Sequence, residues 1–170
     1  MIRIALAALA LMLVATTGSA RTLESRKYGT WLYEYVAFSG WRACQASRNY
    51  SNATFRIRFV NNRMDVIFRR NDFRYRWNAR VGTSRIRVGG RTYRLATVTP
   101  RRSGSRYARS RTLIMTVRDR DYRSFFNAVK RARNLRVTVP GGRTFPVDLR
   151  GSARALNRAL RCWQTRRTGG

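Results

Sequence analysis

The chain has 170 residues, with 37 Lys or Arg against 7 Asp or Glu, a net charge of +30 and no histidine. The missing imidazole removes the usual general base and the commonest metal ligand, which counts against most hydrolytic and metal chemistry. Hydrophobic residues make up 44% of the chain, so a real core is possible, and the basic excess points outward, to polyanions or to a merely solubilising surface.

The first 20 residues have the three parts of a secretory signal. Arg3 is a short positive region, Ile4 to Ala15 is a run of 12 apolar residues, and Gly18 and Ala20 are small where a signal peptidase cuts. As a helix the run rises only about 18 Å, short of a roughly 30 Å hydrocarbon core, which disfavours a membrane anchor. Residues 1–20 are therefore expected to be a cleaved signal peptide, and residues 21–170 a single β-rich domain that is periplasmic or secreted. About 150 residues bury roughly two thirds of their unfolded surface. Arg21 to Tyr28 and Gln164 to Gly170 read as loose termini.

From Thr30 to Leu149 the dominant period is two. Phe55, Ile57 and Phe59 alternate with Arg56 and Arg58; Phe73, Tyr75 and Trp77 with Arg74 and Arg76; Ile86 and Val88 with Arg85 and Arg87. Leu135, Val137 and Val139 continue the pattern, as do Met64, Val66 and Phe68. Such alternation marks strands with one face in a core and one in water. Asn61-Asn62 suits a tight hairpin, and Gly89-Gly90 and Gly141-Gly142 each separate two strand-like runs. Leu113, Met115 and Val117 form a further strand, with Ile114 suggesting burial on its second face. Pro100 to Arg111 has no apolar period, a Ser-Gly-Ser centre and five arginines, and reads as a flexible basic loop.

Two helices interrupt the strands. Asp119 or Asp121 is placed to cap one that carries Tyr122, Phe125, Phe126 and Val129 on one face. Ser152 is placed to cap the second, which carries Leu156, Leu160 and Trp163 beside Ala155, Ala159 and Cys162. The fold class expected is mainly β: a β-sandwich or curled antiparallel sheet with two short helices, one C-terminal. Cys44 lies on an early strand and Cys162 near the end of the last helix. In an oxidising compartment such a pair most simply forms one disulfide, closing a loop of about 118 residues; two buried free thiols are the other reading.

Catalytic sets are sparse. The seven acids, Glu24, Glu34, Asp65, Asp72, Asp119, Asp121 and Asp148, are scattered, and each has many arginines to pair with. A two-carboxylate hydrolase would need two of Asp65, Asp72 and Asp148 to converge. No P-loop or dinucleotide glycine pattern occurs, and the Asn49-Tyr-Ser and Asn52-Ala-Thr sequons read as chance loop residues. No cofactor is expected and the chain is not expected to be an enzyme. The arginines are the one lead. Arg56, Arg58, Arg74, Arg76, Arg85, Arg87 and Arg94 should collect on the solvent face of neighbouring strands, with Arg101, Arg102, Arg106, Arg109 and Arg111 adding reach from the loop. Guanidinium groups so arrayed can fork-bond phosphates or carboxylates. Phe55, Phe59, Phe73, Tyr75 and Trp77 fall on the opposite face, in the core, and are unavailable to stack on bases; Tyr107 is the exception.

Trp41-Arg-Ala-Cys44, the Ser124-Phe-Phe-Asn-Ala128 helix, and the closing Leu149-Arg-Gly-Ser-Ala-Arg-Ala-Leu156 with Cys162 follow a signal peptide and a run of strands. In that order they resemble the exported alphaproteobacterial proteins of the invasion-associated locus B type. The resemblance implies a β-sandwich periplasmic or surface protein tied to host-cell or envelope interaction, with no catalytic residues to carry over. The arginine load departs from that pattern. Two functions are thus expected: an exported protein whose arginine face engages anionic surfaces (lipid headgroups, glycans or nucleic acid), or a periplasmic inhibitor or accessory subunit that recognises one envelope or host protein.

Overall fold

The computed structural model describes residues 20–101 and 109–167, so the expected signal segment, Ala20 apart, lies outside the described residues. Strands β1 (Arg21–Tyr28), β2 (Trp31–Phe38), β3 (Trp41–Asn49), β4 (Ala53–Val60) and β5 (Arg63–Arg70) form an antiparallel meander. A short β6 (Tyr75–Arg76) precedes the hairpin of β7 (Arg80–Val88) and β8 (Arg91–Val98). Then come β9 (Arg109–Ser110), β10 (Thr112–Val117), a 3-10 turn (Asp119–Asp121) and α1 (Tyr122–Arg131). The hairpin of β11 (Asn134–Thr138) and β12 (Thr144–Asp148) leads into α2 (Ser152–Arg167). Ten of the strands make one antiparallel sheet in the order β1-β2-β3-β4-β5-β10-β8-β7-β11-β12, and β6 pairs with β9. The mainly β class with a C-terminal helix is as the alternation predicts.

The sheet curls on itself. β12, last in the order, returns to β3 and β5: the Phe145 ring lies 5.6 Å from that of Phe68, and the carbonyl of Asp148 accepts hydrogen bonds from Arg48 Nη1 and Tyr50 Oη, both at 3.1 Å. The concave side holds one apolar core, in which Phe55, Phe59, Ile86, Leu95 and Met115 are fully buried. Both helices pack into it. Phe125, Phe126 and Val129 of α1 and Ala155, Leu156 and Ala159 of α2 are buried, at the spacing that puts them on one side of each helix. The Phe59 ring is bracketed by Phe126 at 6.0 Å and Trp163 at 5.8 Å. Cys44 and Cys162 are bonded, with Cα atoms 6.0 Å apart, tying β3 to α2. That bond is compatible with a compartment outside the reducing cytoplasm. No described helix is long and apolar enough to cross a membrane.

Several local expectations are corrected. Arg21 to Tyr28 is no loose terminus: it pairs along its length with β2. As an edge strand with most side chains in water, it lacks the apolar alternation that betrays the others. At the other end α2 runs to Arg167, and only residues 168–170 fall outside the described residues. Within the expected loop at 100–111, Arg109–Ser110 is a strand whose backbone pairs with β6, while residues 102–108, including Arg102, Arg106 and Tyr107, lie outside the described residues. Of the run Phe73 to Trp77, only Tyr75 and Arg76 are in a strand. Neither Asp119 nor Asp121 caps a helix with its side chain; Ser124 Oγ instead donates to the Asp121 carbonyl at 3.0 Å. Ser152 is the first residue of α2, buried, and its hydroxyl has no hydrogen-bond partner among the described residues.

Candidate anion-binding site

The β7–β8 hairpin is closed by Gly89 and Gly90, at φ of 56° and 77°, a backbone that side-chain-bearing residues rarely adopt. A Cβ on Gly89 would also sit 3.6 Å from the Cβ of Ala128, so α1 passes close over the turn. From this turn the pleat sends Ile86, Val88, Tyr93 and Leu95 into the core and turns Arg85, Arg87 and Arg94 outward, while Arg91, on the inward parity of Tyr93 but beside the turn, is exposed as well. Register then matches like with like. Arg85 stands directly opposite Arg94, and Arg87 opposite Arg136 of β11.

β8 and β10 pair only at Ile114–Val98 and Met115–Thr97. Beyond that they diverge, and the segment from Arg118 into α1 fills the gap. Its Arg118, Arg120, Asp121 and Ser124 face Arg91 to Arg94 across an open cleft of about 900 Å³, with Arg85, Arg87 and Thr138 on the sheet side. Tyr93 Oη donates to Ser124 Oγ at 3.4 Å within it, so neutral hydroxyls accompany the guanidiniums.

Among the described residues, none of Arg85, Arg87, Arg91, Arg94, Arg118, Arg120 and Arg136 makes an ion pair. Four of the seven acids pair elsewhere: Asp65 with Arg58 and Arg63, Asp72 with Arg70 and Arg143, Asp148 with Arg48 and Arg150, Glu24 with Arg158. Hydrogen bonds from Arg70 and Arg143 hold the Asp72 carboxyl well below the usual range, and those from Arg150 do the same for Asp148. Like charges directly opposite each other on adjacent strands are destabilising. The cleft lining therefore sets six guanidiniums against the single carboxylate of Asp121 and keeps a positive excess.

The remaining arginines expected on the anion-binding face divide. Arg56 and Arg58 do point away from the core but are half-buried. Arg58 binds Asp65 at 3.0 Å and lies over the Trp41 ring at 5.2 Å, and burial pushes the Arg56 guanidinium below its usual value. Arg74 Nη1 donates to the carbonyls of Asn71 and Phe73 at 2.6 and 2.8 Å, serving its own turn. Arg76 and Arg109 face each other in the β6–β9 ribbon, and Arg101 and Arg111 are exposed nearby in sequence. The structure thus brings Arg85, Arg87 and Arg94 together and adds Arg91, Arg118, Arg120 and Arg136, which strand alternation did not single out as a site. Arg136 carried the signal, sitting between Leu135 and Val137. Arg91, beside the turn, and Arg118 and Arg120, before a helix, carried none. No protein-family model matches the chain, and no curated protein or solved structure matches it either.

Proposed function

We propose that this chain is an exported, non-catalytic binding protein whose β7–β8–β11 arginine cleft engages the phosphate, sulfate or carboxylate groups of an anionic surface. The observation that carries this is the group of seven arginines, two pairs of them in direct register, without ion pairs among the described residues. A surface that was merely soluble would gain nothing from opposed like charges, which disfavour the fold. Forked guanidiniums are suited to bidentate contacts with such oxyanions. The signal-like leader and the disulfide support export, and the pairing of Asp65, Asp72 and Asp148 each with its own arginines supports a non-catalytic role.

Heparin chromatography tests it. Arg85→Ser/Arg94→Ser should elute at clearly lower salt than the parent, while Arg74→Ser, whose guanidinium serves the backbone, should elute close to the parent. The double variant should fold with undiminished stability, since it removes an opposed pair. Equal elution of parent and double variant would sink the reading.

A second reading, recognition of one protein, is favoured by a different cleft of about 790 Å³ at the β2–β3 tip, lined by Tyr35, Phe38, Trp41, Arg42 and Trp163. Phe38 and Trp41 stack there at 3.8 Å, and aromatic and arginine side chains dominate protein-recognition hot spots. A partner retained at about 1 M NaCl, where charges are screened beyond about 3 Å, and lost with Phe38→Ala would support it over the first reading.

A further inference from the structure

The outward face next to the arginine cleft carries an apolar row. Register sets Ile67 of β5 opposite Ile114 of β10, and Ile114 opposite Val98 of β8. Exposure rises along the row, from 7% at Ile67 through half-buried Ile114 to 39% at Val98. Ala96, two residues before Val98 and on the same face, is exposed too. A single exposed valine is ordinary. What surrounds this one is not. Arg80 stands directly opposite Val98, and Ala96 lies between Val98 and the Arg94–Arg85 pair along β8. Arg69 flanks Ile67 on β5, and the one acid near the row on this face, Asp65, is fully buried and paired. The apolar row is therefore fringed by arginines whose charge is unanswered on the side toward the cleft.

The chemistry of the row discriminates among anionic partners. A soluble glycan would use the guanidiniums and leave the valine and isoleucine in water. Single-stranded nucleic acid would call for exposed rings on which to stack, and the outward positions of β7, β8 and β10 present none. A bilayer with anionic headgroups takes both features at once. Phosphates meet the guanidiniums at headgroup level, while apolar side chains enter the boundary just beneath, and the arginine stems can lie along that boundary with their heads in water.

We infer that the outward face of β10, β8 and β7 docks on an anionic lipid bilayer, with Val98, Ala96 and Ile114 entering the interface and Arg80, Arg85 and Arg94 bridging headgroup phosphates. This rests on the anion-binding reading above, which supplies the attraction; the apolar row adds the preference for lipid.

The test is cosedimentation of the full disulfide-bonded chain with vesicles of phosphatidylglycerol in phosphatidylcholine, run beside heparin chromatography. Val98→Ser should lower the vesicle partition coefficient by about threefold or more, and Val98→Trp should raise it by a similar factor, with neither moving heparin elution. Both leave the charge unchanged at an exposed position, and thermal unfolding checks each; either one that folds is sufficient. Arg85→Ser/Arg94→Ser should weaken both kinds of binding. If the Val98 variants leave vesicle partition unchanged while the arginine variant lowers heparin affinity, lipid docking is overturned and the anion reading stands. Should the arginine variant move neither, both fall.

Discussion

Two arginines that each sit directly beside an apolar strand residue can have opposite duties, and Arg58 and Arg85 show how burial separates them. Arg58 is held against Asp65, which is fully buried and also accepts Arg63 Nε at 3.3 Å and Thr116 Oγ1 at 2.9 Å. Gln45 and Glu34 extend this polar ladder toward β2, through a bond of 3.0 Å. Removing one partner of a buried pair leaves the other charge uncompensated, at a cost of about 3 kcal/mol. Asp65→Asn should therefore lower the thermal midpoint substantially, whereas serine at Arg85 should not, because Arg85 is exposed and opposed by a like charge. Equal effects of the two substitutions would show that the ladder is no more structural than the cleft.

α2 is the element held to the rest by the most varied means. Its Cys162 is bonded to β3, its Arg158 donates to Glu24 of β1 at 2.6 Å, and the indole of Trp163 donates to the Asn61 carbonyl at the β4–β5 turn, also at 2.6 Å. Its buried side is small, with Ala155 and Ala159 allowing close approach to the sheet. The disulfide spans 118 residues of chain, and the loop-entropy account puts its contribution at up to about 5 kcal/mol. Cys44→Ser/Cys162→Ser should reduce unfolding free energy by about 2–5 kcal/mol in a denaturant titration. An unchanged midpoint would mean that packing and the Glu24–Arg158 pair suffice to seat the helix. β1 gains from the same arrangement: Glu24 also accepts the Tyr33 hydroxyl at 3.2 Å, so the edge strand is pinned by side chains as well as by its backbone ladder.

For the molecule as a whole, a charge of +30 makes the few acids and the buried phenols the main source of pH dependence. Glu24, Asp72 and Asp148 are all held below the usual carboxylate range by arginine hydrogen bonds. Stability from such groups is present above the ordinary carboxylate value of about 4 and is lost as pH falls through the lower folded values. At the other end, burial first and the neighbouring Glu24 second push Tyr33 up to about 12, and burial also raises Tyr50, Tyr75 and Tyr122. A raised phenol contributes stability that is present below about pH 10 and is lost as pH rises from there through the folded value. The thermal midpoint should thus be level between about pH 5 and 9 and fall on both sides, with Tyr33→Phe flattening the alkaline fall. A midpoint that held steady down to about pH 2 would contradict the acid half. How far these features could be read in advance differs by residue. The alternation at Arg85 to Val88 and at Phe55 to Phe59 announced strands and their inner faces, the Tyr122 to Val129 spacing announced a helix, and Cys44 and Cys162 announced their bond. Those signals are local, because pleat and helical turn repeat every few residues and apolar side chains must follow the repeat. That Arg87 meets Arg136, that β8 parts from β10 to open a cleft for Arg118 and Arg120, that Arg56 and Arg58 sink while Arg85 stays in water, and that Arg21 to Tyr28 is a strand at all were settled by the fold. These depend on which distant segments pair and how far the sheet curls, and strand pairing between residues far apart in the chain leaves no mark in the composition of either partner.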